Sequence, residues 1–207
     1  MNTLQNTSFR QERALIRVDF NVPLDAHGNV TDATRIVAAL PTIQYILEQG
    51  GSCVLMSHLG RPKGNDPKLS LKQLVPTLEK HLGQTVHFCD EVVGSKATAQ
   101  AAALGQGEVL LIENLRFHEA ETKGDKDFSK ALSELGTVYV NDAFGTAHRA
   151  HASTTVVAQF FPNKKCFGLC ERTKQQRTLC LPRSCHNGPL KCLVCYFGPL
   201  ICVTRIR

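Results

Sequence analysis

Several signals are missing from this chain of 207 residues, and each absence excludes a class. The start M-N-T-L-Q-N-T-S has no basic stretch followed by an apolar core, so no secretory signal is expected, and no uninterrupted run of about 18 apolar residues is present to span a membrane. Neither G-x-x-x-x-G-K-S/T nor G-x-G-x-x-G occurs, and the glycines of H-L-G-R-P-K-G fall in the wrong register for both, which removes nucleotide cradles of those kinds. Cysteine is scarce up to Pro162, where only Cys53 and Cys89 occur, each in a predicted strand. Two isolated thiols of this kind are expected to be buried hydrophobes in a soluble cytoplasmic protein.

Acid is scarce where base is abundant. From Asn163 onward there are nine Lys or Arg and a single acid, Glu171, against 15 bases and 17 acids in the first 162 residues. The formal charge of +6 therefore belongs to the tail and gives the rest of the chain no electrostatic argument for nucleic acid. Seven of the nine cysteines crowd the same last 45 residues.

What is present is organised around A-L-I-R-V-D-F-N-V-P, Ala14 to Pro23. Ala14–Val18 is apolar except for Arg17 and suits a buried strand, in which Arg17 is expected to pair internally. Beyond it Asp19 and Asn21 alternate with Phe20 and Val22, so extended backbone puts the polar pair on one side and the apolar pair on the other. Pro23 stops the strand.

The rest alternates short strands with helices. Asp32 is expected to cap a helix from Ala33 to Glu48 that contains Pro41 and ends at Gly50-Gly51. Ser52–Met56 follows as a strand, then a helix capped by Ser70 and closed by Gly83, then a strand at Thr85–Phe88. A helix at Ser95–Leu104, a strand at Glu108–Ile112, a helix at Lys126–Leu135 and a strand at Thr137–Val140 complete the pattern. The charged stretch Glu119–Lys130 reads as solvated surface. This alternation predicts an α/β fold, a Rossmann-like parallel sheet with helices on both faces, in one domain over residues 1–162.

In a parallel sheet the loops that follow strands leave at one edge, where such sheets bind ligands. That edge gathers Asp19 and Asn21, His58 and Arg61, Asn114 and Arg116, and Asp142, His148, Arg149 and His151, with Arg35 joining from the first turn of its helix. Arginine forks match phosphate and carboxylate oxygens two at a time, so the cluster reads as an anion site, with Asp19, Asn21 and Asn114 set to meet hydroxyls or orient arginines. Lys63 is expected to be solvated. A small, polyanionic, hydroxylated ligand such as a phosphorylated sugar acid fits.

R-V-D-F-N-V-P, S-H-L-G-R-P-K-G, L-x-E-N-L-R-F and Y-V-N-D-A-F-G-T-A-H-R-A-H-A-S-T, in this order and spacing, resemble phosphoglycerate kinase from about Arg13 to Pro162, the N-terminal domain of that family. The resemblance implies a glycolytic enzyme that moves a phosphoryl group reversibly between ATP and the carboxylate of 3-phosphoglycerate, giving 1,3-bisphosphoglycerate and ADP. It implies substrate binding by Asp19, Asn21, Arg35, His58, Arg61, Arg116 and Arg149, with Arg35 as the catalytic residue. ATP or ADP with Mg²⁺ is implied on a second, C-terminal domain, and the protein is expected to be a monomer with no membrane or nucleic-acid partner.

After about residue 169 the pattern breaks, and residues 163–207 are read as a tail that is no domain, which resembles translation in a shifted reading frame. On that reading the chain lacks its nucleotide half, and the alternative to a kinase is an inactive fragment that only binds 3-phosphoglycerate. A competing reading makes Cys180, Cys185, His186, Cys192 and Cys195 zinc ligands, and a third makes the tail a genuine terminus with no site.

Overall fold

Strand residues of this chain alternate between two apolar cores, and that alternation defines the architecture. In the computed structural model, residues 2–143, 150–167, 195–197 and 200–202 are described. They fall in two compact units, residues 2–170 and 171–207 with Met1. In the second, β8 (Cys195–Phe197) and β9 (Leu200–Cys202) form an antiparallel pair. Cys180, Cys185, His186 and Cys192, four of the five zinc ligands read from the sequence, lie outside the described residues.

The first unit is built on a seven-stranded sheet in which every pairing is parallel. Its strands are β1 (Asn2–Thr3), β2 (Arg13–Val18), β3 (Ser52–Met56), β4 (Val86–Cys89), β5 (Val109–Ile112), β6 (Val138–Asp142) and β7 (Lys165–Phe167). They lie in the order β1-β7-β6-β2-β3-β5-β4, so β2 is central. Ala14, Ile16 and Val18 of β2, Cys53 and Leu55 of β3, and Val138 and Val140 of β6 join one core. Leu15, Val54, Met56 and Tyr139, one position out of phase, join the other. A parallel sheet covered on both faces needs this two-sided hydrophobic pattern.

Helices α1 (Thr34–Glu48) and α2 (Val75–Leu82) cover the first face through Ile36, Ile43, Ile46 and Leu78. Helices α3 (Ser95–Ala103) and α5 (Lys126–Ser133), with the short α4 (Glu119–Lys123) before α5, belong to the opposite side; α3 and α5 supply Ala97, Ala101, Phe128 and Leu132 to the second core. Asp32 starts α1 from one residue further out than a cap, accepting from the Thr34 N–H at 2.9 Å, and the helix runs through Pro41. Ser70 accepts from the Lys72 N–H and begins a 3-10 turn, Leu71–Leu74, that feeds α2, and Gly83 ends α2 at φ +72°. Element ends differ from the sequence reading by a residue or two, as fraying ends do.

Three elements carry no short-range signal. Strand β1 is two residues long, β7 follows Pro162 inside the segment read as tail, and α4 lies in the stretch read as solvated surface. The last is a correction: Glu121 of α4 is 1% exposed. Cys53 and Cys89 are free and buried as expected, and burial pushes both thiols up, which makes them packing groups rather than nucleophiles.

Gly136, at the entry to β6, lies so close to β2 that an added Cβ would sit 2.6 Å from the Leu15 Cβ and 3.1 Å from the Arg13 carbonyl oxygen. Gly136→Ala is therefore expected to lower stability by about 1–3 kcal/mol through overpacking between two central strands. Urea unfolding of the two chains, read as a lower midpoint at an unchanged slope, checks it.

Candidate functional site

At the carboxyl edge of the sheet, the loops after β2, β3 and β5 are tied together by a small number of hydrogen bonds. The Ser57 hydroxyl donates to the Val18 carbonyl at 2.9 Å and accepts from the Phe20 N–H at 2.9 Å, bridging the ends of β2 and β3. Phe20 and Val22 are buried while Asp19 and Asn21 are only partly so, as the alternation predicts, although the regular strand ends at Val18.

The Gly60 peptide is gripped from both sides. Its N–H donates to Asn21 Oδ1 at 2.9 Å, and its carbonyl accepts from Arg116 Nη1 at 2.6 Å. Gly60 has φ +62°, and a Cβ there would meet Leu69 at 2.9 Å, so only glycine fits without strain. Arg61 leaves the backbone from this clamped point, and Lys63 is exposed nearby in the same loop, as expected.

Asn114 does not serve the role read from the sequence. It is fully buried, its amide donates to the Leu59 and Leu69 carbonyls at 2.8 Å each, and its oxygen accepts from the N–H groups of Leu59 at 3.3 Å and Arg116 at 3.1 Å. All its polar capacity is used holding the β3 loop against the turn Leu115–Phe117, so it is a clamp and has nothing left for a ligand. Its neighbour Glu113 accepts from Ser70 Oγ at 2.7 Å and the Leu71 N–H at 2.8 Å, fixing the approach to α2.

Arg35, in the first turn of α1, donates to Asp19 Oδ2 at 2.7 Å. Among the described residues the other oxygen, Asp19 Oδ1, is buried with no hydrogen-bond partner, an acceptor that a ligand hydroxyl would satisfy. A cleft of about 320 Å³ is lined by Arg61 and Arg116 together with His118, Glu119, Thr122 and His151. Arg61, Arg116 and His151 of this set are gathered by the sequence pattern; His118, Glu119 and Thr122, at the start of α4 and within it, are not. His148 and Arg149 lie outside the described residues.

His58 and Arg17 are buried together. Arg17 is 1% exposed and, as expected for a strand arginine, pairs internally: Nε donates to Ser153 Oγ at 2.9 Å, Nη1 to the Val18 carbonyl, and Nη2 to His58 Nδ1 at 3.1 Å. Burial pulls the guanidinium below its ordinary value, while the negative charges of Glu121 and Asp19 act to raise it.

The phosphoglycerate kinase profile matches residues 4–175. The chain belongs to the phosphoglycerate kinase family. It is 56% identical over 161 residues to the phosphoglycerate kinase of Moorella thermoacetica, covering 77% of this chain and 41% of that one. Against cytosolic phosphoglycerate kinase 3 of Arabidopsis thaliana it is 52% identical over 160 residues, covering 77% and 40%. The crystal structure of phosphoglycerate kinase from Pyrococcus horikoshii superposes with TM-score 0.75 at 32% identity, covering 82% of this chain and 43% of that one. The chain thus spans about two fifths of the length of these relatives, and its α/β architecture with an all-parallel sheet is theirs.

Asn114→Asp tests the clamp. The substitution turns the amide donors toward the Leu59 and Leu69 carbonyls into an acceptor, and each carbonyl left facing oxygen costs about 1–3 kcal/mol. Loss of that order in urea unfolding is expected, whereas an unchanged midpoint means the asparagine holds nothing.

Proposed function

We propose that this chain provides the acid-binding side of a phosphoglycerate kinase, and that the cleft at the carboxyl edge takes 3-phosphoglycerate or 1,3-bisphosphoglycerate. The observation that supports this reading most directly is the pairing of cationic and hydroxyl-seeking groups at one edge. Arg61 and Arg116 line a cleft that suits a phosphate, and the orphan Asp19 Oδ1 beside Arg35 suits a hydroxyl. The proposed ligand set is Asp19, Asn21, Arg35, His58, Arg61, Arg116 and Arg149.

The reaction would be reversible phosphoryl transfer between ATP and the acid's carboxylate, the glycolytic step. A carboxylate is already ionised at neutral pH, so no general base is needed, and the protein's contribution is positioning and charge stabilisation of a loose transition state. Arg35 is proposed as the group that neutralises the transferring phosphoryl. Its ion pair with Asp19 holds the guanidinium at the edge, and its 43% exposed side chain leaves room to turn toward a ligand.

The chain spans about two fifths of the length of its relatives, so turnover with ATP or ADP and Mg²⁺ is proposed for the whole protein, and binding of the acid is the activity proposed for the described residues. A monomer acting in the cytoplasm completes the proposal, and no described helix is long and apolar enough to cross a membrane.

Isothermal titration of the chain with 3-phosphoglycerate is expected to show one saturable site. Replacing Arg61, Arg116 or Arg35 with alanine should weaken it about 10- to 100-fold, the value of a charge-assisted hydrogen bond, while Lys63→Ala stays near the parent. No saturable heat, or arginine variants equal to Lys63→Ala, would refute the assignment.

A further inference from the structure

Behind the cleft lies a chain of buried polar groups, most of them outside the proposed ligand set. Glu121, 1% exposed on α4, accepts from the Ser153 N–H through Oε2 at 2.9 Å and from the Ser153 hydroxyl through Oε1 at 2.6 Å. The same hydroxyl accepts from Arg17 Nε at 2.9 Å, and Arg17 Nη2 reaches His58 Nδ1 at 3.1 Å. Tyr139 of β6 donates to the Ser153 carbonyl at 2.9 Å and fixes the turn Ala152–Val156 that carries the serine.

The proton positions follow from chemistry. A carboxylate only accepts and a guanidinium only donates, so the Ser153 hydroxyl has one orientation, giving its hydrogen to Glu121 and its lone pair to Arg17. Arg17 has no lone pair to offer, so His58 Nδ1 must be the acceptor. The imidazole is then neutral and carries its hydrogen on Nε2.

We propose that Glu121, Ser153 and Arg17 form a positioning relay that locks His58, a member of the proposed ligand set, in its neutral, Nε2-protonated form. None of the three is placed to touch the ligand; they act through His58. The relay also explains the buried charges: Glu121 neutralises Arg17 through one shared hydroxyl, and its Oε1 lies 3.8 Å from His151 Nδ1, a residue of the cleft wall. The part of this inference that concerns ligand affinity rests on the acid-binding reading above.

The test has two readouts that separate the inferences. Long-range ¹H–¹⁵N spectra of the histidine-labelled full chain, assigned with His58→Gln, are expected to show His58 in the single Nε2–H form without any ligand. The combined variant Arg17→Met with Glu121→Gln removes both charges together, so no bare ion is left inside, and should return His58 to averaged shifts of two exchanging tautomers. An Nδ1–H or averaged His58 in the parent chain, or shifts unchanged in the combined variant, overturns the relay.

The second readout is 3-phosphoglycerate affinity. Ser153→Ala should weaken it about 3- to 10-fold, and the loss should vanish in the His58→Gln background, because the serine acts only through the histidine. A loss that persists in that background also overturns the relay. If the parent chain shows no affinity, the acid-binding reading fails while the tautomer result still judges the relay.

Discussion

A full positive charge inside the central strand of a sheet is the constraint on which this structure turns. Arg17 occupies the position of β2 that faces the second core, between Leu15 and the strand end, where an apolar residue would be the default. A guanidinium in that place must have every donor met and its charge offset, because removing a partner from a buried ion pair costs about 3–5 kcal/mol. The demand is met from far along the sequence: Ser153 and Glu121 come from segments that follow β5 and β6. A lysine would not serve, because its three donors sit on one nitrogen, whereas the guanidinium fork reaches a serine on one side and a histidine on the other.

That constraint reaches the cleft because the sheet is parallel. Every strand that ends near Arg17 releases its loop at the same edge, so the groups that neutralise the arginine and the groups that would meet a ligand share backbone. The turn holding Ser153 begins one residue after His151 of the cleft wall, and α4, which carries Glu121, also contributes Glu119 and Thr122 to it. On the other flank, the Gly60 peptide joins Asn21 to Arg116, so the loop bearing Arg61 is braced by β2 and β5 together.

How much of this was legible follows from how local each signal is. The continuous apolar runs of β2, β3 and β5 and the alternation of Asp19, Phe20, Asn21 and Val22 are properties of adjacent residues, and both survive in the structure. Strand β1, with two residues, has too short a pattern to detect. Asn114 was misread because its neighbours in the sequence, Glu113 and Arg116, look like a polar ligand loop; its real partners are the backbone of Leu59 and Leu69, 55 and 45 residues away in the chain. Glu121 was misread for the opposite reason. In E-A-E-T-K it stands among charged residues that are solvated, and only the return of the chain at Ser153 buries it.

The basic residues at this edge therefore divide by what already occupies them. Arg17 spends its fork on protein acceptors and is balanced by Glu121, so it adds no net attraction for an anion. Arg35 is held by one oxygen of Asp19, and Arg116 gives one N–H to Gly60 while lining the cleft. Arg61 is exposed on a loop whose backbone is fixed. This gradation, from a fully committed guanidinium behind the cleft to an exposed one in front of it, lets a rigid wall carry groups that can still reorganise around a bound anion, as the proposed acid site requires.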